Sequence, residues 1–303
     1  MRRIRTYHEV GRGEGAGEGV PEQVQAQRQR LERRLANIRR VIAIASGKGG
    51  VGKSAVTANV AAALAARGQR VGAVDADLNG PSLARMLGVP RDPLAIGVDG
   101  VQPAVGVAGV RVISMDLLLA GDDAPLRWKD AGDGAESVRQ SAVETSALRE
   151  FLADVAWGEL DYLLIDVPPG TDKLGRVLEL VPRLTAVLLV TTPSEMARHI
   201  VAKSVRQARE AGVPAVALVA NMTAYVCERC GHGSVLFAAD GARRLAAAAG
   251  VPLWAEIPFD PRLGLATDRG EPPVLGTEDY AAARAMHELA GHIEQELAEG
   301  VPG

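Results

Sequence analysis

A glycine-rich loop, set between a short apolar run and an alanine-rich stretch, constrains the fold of this chain more than any other feature. Residues 41–67 read VIAIASGKGGVGKSAVTANVAAALAAR, and Gly68 follows. The apolar run predicts a buried strand, and the alanine-rich stretch predicts a helix over Ala55–Arg67 that ends at Gly68. A strand, a glycine loop and a helix in this order can form a cradle for phosphate groups.

The loop itself matches the pattern G-x-x-x-x-G-K-[ST]. Its glycines let backbone N–H groups turn inward around an anion, and the following helix points its positive end at the same place. We expect Lys53 to neutralise the β- and γ-phosphates and the Ser54 hydroxyl to bind Mg²⁺. The predicted phosphate-binding residues are Gly47, Lys48, Gly49, Gly50, Val51, Gly52, Lys53 and Ser54.

Continuous apolar runs recur along the chain and alternate with predicted helices. Such runs are typical of strands buried on both faces of a parallel sheet. The alternation predicts an α/β fold over residues 41–299, doubly wound, with a mostly parallel sheet flanked by helices on both faces. The runs are 41–45, 71–74, 110–113, 162–165, 186–190 and 215–220; the later helices are predicted at Ala147–Val155, Ser194–Ala211, Ala238–Ala249 and Glu278–Glu299, with Ser194 and Thr277 as N-caps.

Two segments precede this domain. Residues 1–20 are polar and rich in glycine, which predicts a disordered tail. Over Pro21–Arg40, a thin apolar stripe that includes Leu31, Leu35 and Ile38 runs among many arginines, and it predicts a helix that docks on its own domain. The segment has no aromatic partners for its basic residues, so a nucleic-acid-binding arm is the less favoured alternative.

Charge and composition exclude several classes of protein. The net charge of −3 and the aromatic content of 3% provide neither a basic field for nucleic acid nor stacking platforms for bases. The first residues lack the apolar core of a signal peptide, and no apolar run reaches the roughly 18 residues of a membrane span. Two cysteines cannot form a disulfide framework. We therefore expect a cytoplasmic protein without membrane or nucleic-acid partners.

Two carboxylate sites lie at the ends of predicted strands, where ligands of open α/β sheets gather. Asp75 and Asp77 directly follow the second strand, and Asp166 ends the strand YLLI. Asp166 is placed as a Mg²⁺-binding carboxylate would be, and the stiff turn 168–171 after it is a candidate switch beside the γ-phosphate. The alternative is that these residues only cap the following helices; that alternative is stronger for Asp77 than for Asp166.

A cysteine pair, Cys227-Glu228-Arg229-Cys230, follows the last predicted strand. A redox pair would place its first thiolate at a helix N-terminus, which Gly231 and Gly233 disfavour. A structural zinc site needs four ligands, and the chain has no second C-x-x-C, although His232 is a candidate third ligand. A half-site completed by a second copy of the chain would bring four thiolates together, as a [4Fe–4S] cluster requires.

Together these motifs resemble the Mrp/ApbC family of iron–sulfur cluster carrier ATPases, relatives of MinD, ParA and the nitrogenase iron protein. The glycine loop, KGGVGKS, is similar to that of the deviant Walker A P-loop group. The resemblance extends from residue 41 to about residue 275. It rests on SGKGGVGKS, VDADLNGPS, DDAP, LDYLLIDVPPGT, the NM-x3-VC-x2-C block that starts at Asn221, and VPLWAEIPFDPR.

The resemblance implies an ATP-hydrolysing homodimer that holds a labile [4Fe–4S] cluster between its subunits and hands it to apoproteins. It implies that Lys48 reaches the partner's nucleotide, as an arginine finger does, and that Asp75 and Asp77 lie near the water that attacks the γ-phosphate. It further assigns Gly47–Ser54 to the phosphates, Ser54 and Asp166 to Mg²⁺, Asn221 and the turn Pro258-Phe259-Asp260 to the adenine, and Cys227 and Cys230 to the cluster.

The chain departs from the family pattern in two places. PPGT continues with Asp172 and Lys173 rather than with GD, and the W-R-G-P after DDAP is replaced by Trp128-Lys129-Asp130 and an acidic stretch that runs to Thr145. The amino-terminal cysteines of the eukaryotic cytosolic branch are missing, so a second cluster is not expected.

Two other classes of function stay open. One is a MinD- or ParA-like positioning or partitioning ATPase that works on a membrane or on DNA. The last predicted helix carries six acidic residues against one arginine, which disfavours binding to an anionic membrane. The other class is a nucleotide-binding scaffold without catalysis, which single-turnover ATP hydrolysis would distinguish.

Overall fold

The structure is a computed structural model of the 303-residue chain. It describes residues 20–78, 80–90, 92, 94–118, 136–181, 183–194, 196–227, 229–238, 240–277 and 281–298. The predicted disordered tail falls almost entirely outside these residues, as do Trp128-Lys129-Asp130 and the Glu278 start of the last predicted helix. Within the described ranges, no helix is both long and apolar enough to cross a membrane.

The apolar runs form the strands of one sheet, as predicted. The strands are β1 Ile38–Ala45, β2 Val71–Asp75, β5 Ala104–Val105, β6 Arg111–Ile113, β7 Leu160–Asp166, β8 Ala186–Thr191, β9 Ala215–Val226, β10 Gly233–Val235 and β11 Leu253–Phe259; β3 Ile96–Gly97 and β4 Gly100–Val101 form a separate pair. The order of the strands in the sheet is β10-β9-β8-β1-β7-β2-β6-β5, and β11 pairs with β9. The pairs among β9, β8, β1, β7, β2 and β6 are parallel, as is β11 with β9, whereas β10 and β5 pair antiparallel.

Helices cover both faces of the sheet. The central strand β1 directs Val41, Ala43 and Ala45 into one apolar cluster and Ile42 and Ile44 into another, because successive side chains of a strand point to opposite faces. The helices are α1 Val20–Ala36, α2 Lys53–Ala66, α3 Leu83–Met86, α4 Glu136–Asp154, α5 Thr171–Leu180, α6 Ala197–Glu210, α7 Gly241–Ala249, α8 Pro261–Asp268 and α9 Ala281–Ala298. The fold is therefore the predicted doubly wound α/β fold.

The amino-terminal helix docks on its own domain through Leu31 and Leu35, which are buried in the apolar cluster that contains Val41. It ends earlier than predicted: Ile38 to Arg40 belong to β1. Arg40 is buried there, donates to the Leu297 carbonyl at 2.9 Å and lies over the Tyr162 ring. These contacts come from residues far along the chain, and they override the local pattern of arginines and apolar residues that suggested helix.

Several elements were not predicted, and one predicted cap is wrong. The strands β10 and β11 and the short helices α5 and α8 were missed. Ser194 is not the N-cap of α6: the helix begins at Ala197 after Met196, and the buried Ser194 hydroxyl has no hydrogen-bond partner within the described residues. The helix predicted at Ala147–Val155 is the carboxyl-terminal half of α4.

Candidate nucleotide site and cysteine hairpin

The carboxyl ends of the parallel strands gather the predicted site residues at one edge of the sheet. Strand β1 leads into the glycine loop, β2 ends at Asp75, and β7 ends at Asp166. The parallel register pairs Asp75 with Asp166 across β2 and β7. The prediction that the two carboxylate sites meet beside the loop is thus consistent with the topology.

The glycine loop has the backbone that its sequence suggested. Gly50 and Gly52 have φ angles of 74° and 79°, in the left-handed region that favours glycine, and Gly52 is the N-cap of α2. A Cβ on Gly47 would overlap with Ile200 of α6, and a Cβ on Gly52 would overlap with the amide of Asn221. Two of the glycines are therefore required by close packing.

Asp166 lies at the centre of the site and is fully buried. Its carboxylate forms an ion pair with Lys53 Nζ at 2.6 Å and accepts hydrogen bonds from the hydroxyls of Ser54 and Thr57, each at 2.6 Å. Sequence reasoning missed Thr57, although it stands four residues after Lys53 and so lies on the same face of α2. The group combines one cation with hard oxygen atoms, which is the chemistry that phosphates and Mg²⁺ require.

The Asp75 carboxylate accepts four hydrogen bonds. Its carboxylate accepts from the backbone N–H groups of Ser82 (2.8 Å) and Leu83 (2.9 Å), from the Asp77 N–H (3.1 Å) and from the Ser114 hydroxyl (3.2 Å). Burial, together with the charge of Asp166, raises the pKa of Asp75 to about 7. Asp75, rather than Asp77, therefore receives the first N–H groups of the short helix α3.

The Asp77 carboxylate is less buried than that of Asp75, although the Asp77 N–H belongs to this network. Asp77 is only partly buried, and its carboxylate accepts a hydrogen bond from the Gly80 N–H at 3.1 Å. The short helix α3 begins at Leu83 with Ser82 as its N-cap. The alternative role of Asp77 as a helix cap consequently finds no support, and its carboxylate lies on a loop beside the site.

The predicted switch turn is hydrogen-bonded to the residue just before the glycine loop. The Gly170 N–H donates to the Ser46 carbonyl at 2.9 Å, and Gly170 has a φ angle of 118°. Helix α5 starts at Thr171, and its Lys173 and Arg176 both pair with Glu144 of α4. The departure from the family pattern at Lys173 thus provides an ionic contact between α5 and α4. Asp172 pairs with Arg176, one helical turn away.

Lys48 differs from Lys53 in its exposure and in its ion pairing. Lys53 is buried, with 7% of its surface exposed, whereas Lys48 is exposed and has no ion pair among the described residues. The Lys48 carbonyl accepts a hydrogen bond from the Ser46 hydroxyl at 3.1 Å, which fixes the backbone of the loop start. The Lys48 side chain is thus exposed to solvent.

The residues assigned to the adenine are also at this edge. The register of β9 and β11 pairs Asn221 with Ile257, next to Pro258, and the Asn221 amide donates to the Val51 carbonyl of the glycine loop at 2.9 Å. Asp260 is the N-cap of α8, and Arg262 binds both of its carboxylate oxygens. Burial alone would raise the pKa of Asp260, but the hydrogen bonds from Arg262 lower it. Sequence reasoning missed Arg262.

The two cysteines lie in a hairpin rather than before a helix. Antiparallel pairing of β9 with β10 closes a loop in which the Cys227 N–H donates to the His232 carbonyl at 3.0 Å and the Gly231 N–H donates to the Cys227 carbonyl at 2.8 Å. Cys227 is half-buried and Cys230 is exposed. This arrangement gives no support to a redox thiolate at a helix N-terminus.

The hairpin does not complete a metal site within the described part of one chain. No group of three or more His, Cys, Asp or Glu side chains there could hold a metal ion. Exposed apolar side chains lie at the hairpin: Val235 (75% exposed) ends β10, and Leu236 follows it. Phe259 lies against Tyr225 with a ring separation of 6.5 Å. A metal site built on Cys227 and Cys230 would need ligands from outside the described residues of one chain.

Comparison with known proteins identifies relatives of the whole folded region. An iron–sulfur cluster carrier protein of Saccharolobus solfataricus is 39% identical over 265 residues, which cover 87% of this chain and 86% of the relative. A nucleotide-binding protein of Archaeoglobus fulgidus, solved in complex with ADP, is 34% identical with a TM-score of 0.69, covering 80% of this chain and 91% of that one. The cell division ATPase MinD of Pyrococcus furiosus is 26% identical with a TM-score of 0.58, covering 85% and 99%.

The family match spans the same region. Residues 37–294 match the ParA family described as NUBPL iron-transfer P-loop NTPase. The match contains the glycine loop, the buried carboxylates and the cysteine hairpin described above. The chain therefore belongs to the iron-transfer P-loop NTPases.

Proposed function

We propose that this protein is an ATP-hydrolysing carrier that assembles [4Fe–4S] clusters or transfers them to apoproteins, and that it works as a homodimer in the cytoplasm. The observation that carries the proposal is the cysteine hairpin, which offers two thiols at the surface of one chain. A [4Fe–4S] cluster takes four thiolates, so two hairpins related by a two-fold axis would complete one cluster. The name shared by the curated relatives supports the same cargo.

The nucleotide site supports ATP as the energy source. Backbone N–H groups of the loop would surround the phosphates, and Lys53 would balance their charge. The Ser54 hydroxyl and the Asp166 carboxylate are 2.6 Å apart and would hold Mg²⁺, which would neutralise charge on the β- and γ-phosphates. Asp77, on its partly exposed loop, would orient the attacking water, and Asp75 would support that loop. Lys48 would act on the partner's nucleotide.

The alternative of a positioning ATPase rests on the fold that the chain shares with MinD. A MinD-like membrane function would require a basic amphipathic helix. In helix α9 the charged residues Glu288, Glu294 and Glu296 outnumber Arg284. This charge balance favours the carrier.

Anaerobic reconstitution with iron and sulfide tests the proposal. We expect close to four irons per dimer and a broad thiolate-to-iron absorption in the visible. Cys227→Ser and Cys230→Ser should each lose the cluster and keep nucleotide binding, because the two sites are built from different loops. Ser234→Ala, on β10 of the same hairpin, is the matched control and should keep both. One tightly bound zinc per monomer would contradict the carrier function.

A further inference from the structure

The strand that carries the cysteine hairpin is interrupted midway by a bulge. Strand β9 pairs with β11 so that Asn221 faces Ile257 and Tyr225 faces Phe259. Only Pro258 lies between the two residues of β11, whereas residues 222–224 lie between the two of β9. The surplus residues of β9 form an irregularity, which we call the β9 bulge (residues 222–224).

The backbone of the β9 bulge is strained. Met222 has a φ angle of 58°, in the left-handed region that side chains other than glycine rarely adopt. Among the described residues, only Ala108, Met222 and Asp240 combine a side chain with a positive φ, and Met222 and Asp240 stand on either side of the cysteine hairpin. Such strain persists only where the surrounding contacts enforce it, and it is often found at switch regions.

Those contacts connect the bulge to the glycine loop on one side. The residue before the bulge, Asn221, donates to the Val51 carbonyl at 2.9 Å, and a Cβ added to Gly52 would lie 3.4 Å from the Met222 methyl carbon. Both side chains therefore border the segment Val51–Gly52. A phosphate bound by the N–H groups of this loop acts on the same short piece of backbone.

On the other side, the bulge is connected to the hairpin. The Thr223 hydroxyl donates to the Ile257 carbonyl at 3.3 Å. The Thr223 carbonyl in turn accepts from the Leu236 N–H at 3.3 Å, directly after β10. Cys227 follows the bulge by three residues. A change in the bulge would thus move both arms of the hairpin.

We infer that the β9 bulge couples nucleotide occupancy of the glycine loop to the position of Cys227 and Cys230. The inference rests on the proposed function, because it supplies the link by which ATP would control the cluster ligands. The link passes through one strand of one chain. It therefore operates on the cysteines whether or not a cluster is bound.

Alkylation of the two thiols by iodoacetamide, followed by mass spectrometry, tests the coupling without a cluster. The reduced protein is compared without nucleotide, with Mg²⁺–ADP and with a non-hydrolysable Mg²⁺–ATP analogue, and nucleotide affinity is measured on the same samples. In the wild-type protein we expect the ATP analogue to change the alkylation rate of Cys227 about fivefold or more. Equal alkylation rates of Cys227 with and without bound nucleotide would overturn the inference and leave the proposed function intact.

Variants then locate the coupling. Met222→Gly lowers the energetic cost of the left-handed conformation and removes the side chain beside Gly52. The ratio of the Cys227 alkylation rates with and without nucleotide should therefore fall towards one. Thr223→Val keeps the shape of the side chain, removes the hydroxyl bond and should reduce the ratio partially. Ala108→Gly relieves the same kind of strain away from both sites and should keep the wild-type ratio.

The outcomes separate the two proposals. If Met222→Gly binds nucleotide and responds as the wild-type protein does, the bulge is not the link. If the wild-type protein binds no nucleotide, both the proposed function and the coupling fail. The dimer fraction of each sample is measured in parallel, since thiol protection that follows dimerisation alone would be equal in Met222→Gly and in the wild-type protein and would also overturn the inference.

Discussion

The glycine loop and the cysteine hairpin lie at the same edge of the sheet but differ in how completely one chain builds them. At the loop, a fully buried carboxylate binds a buried lysine and two hydroxyls, and glycines pack against Ile200 and Asn221. At the hairpin, Cys230 is exposed and apolar side chains such as Val235 face solvent. A site that must stabilise developing charge needs fixed geometry, whereas ligands that release a cargo must stay accessible.

The largest predicted effect is that of a substitution in the glycine loop, the more completely built of the two regions. Lys53→Ala should abolish nucleotide binding and lower the free energy of unfolding by about 3 kcal/mol, because it leaves the Asp166 carboxylate buried without its cation. Cys230→Ser should change stability by no more than about 0.5 kcal/mol. Urea unfolding and nucleotide titration measure both quantities. Equal losses of stability in the two variants would show that the two regions do not differ in this way.

The exposed lysine provides a sharper test within the loop itself. Lys48→Ala should leave ATP binding largely intact and reduce hydrolysis roughly 1,000-fold, because its ammonium group would act on the partner's nucleotide as an arginine finger does. Binding by calorimetry and phosphate release separate the two effects. If Lys48→Ala loses as much affinity as Lys53→Ala, the lysine belongs to the site of its own chain.

The buried and the partly exposed carboxylate should also respond differently. Asp166→Asn should weaken Mg²⁺-dependent nucleotide binding, whereas Asp77→Asn should keep binding and slow hydrolysis roughly 100-fold, as expected for a group that orients the attacking water. Nucleotide affinity with and without Mg²⁺ distinguishes the two. Normal hydrolysis in Asp77→Asn would show that the Asp77 carboxylate does not orient the attacking water.

The smallest effect concerns pH. Asp75 has a pKa of about 7 in the folded protein and an ordinary value of 3.8, so between these values the folded state binds more protons than the unfolded state. Its contribution to stability is therefore greatest at low pH and declines as pH rises to about 7. Relative to Asp75→Asn, which cannot ionise, the wild-type protein should lose about 2 kcal/mol between pH 5 and pH 7. Parallel pH profiles of unfolding in the two proteins would contradict this.

Sequence patterns were informative where structure is local and uninformative where distant residues decide it. The apolar runs identify the parallel strands, and the glycine loop identifies the phosphate site, because each pattern reflects one buried element or one turn. The local pattern around Arg39 and Arg40 predicted a helix, whereas the structure places both residues in β1. The partners of Arg40 are Tyr162 and Leu297, which are distant in sequence and therefore leave no local signal. Ser114 holds Asp75 through a contact between residues 39 positions apart, which no spacing reveals. Thr57 and Arg262 did have local signals: Thr57 has a helical spacing from Lys53, and Arg262 is two residues after Asp260.

The central position of β1 has a consequence for the synthesis of the protein. This strand carries the glycine loop, yet Ile38 pairs with Leu160, about 120 residues further along the chain. At about 5–20 residues per second, a ribosome needs roughly 6 to 24 s to supply that partner. During this interval the apolar β1 has neither of its neighbours in the sheet, and Lys53 has no Asp166 to pair with. These residues of the nascent chain therefore lack their partners until more than half of the chain has been made.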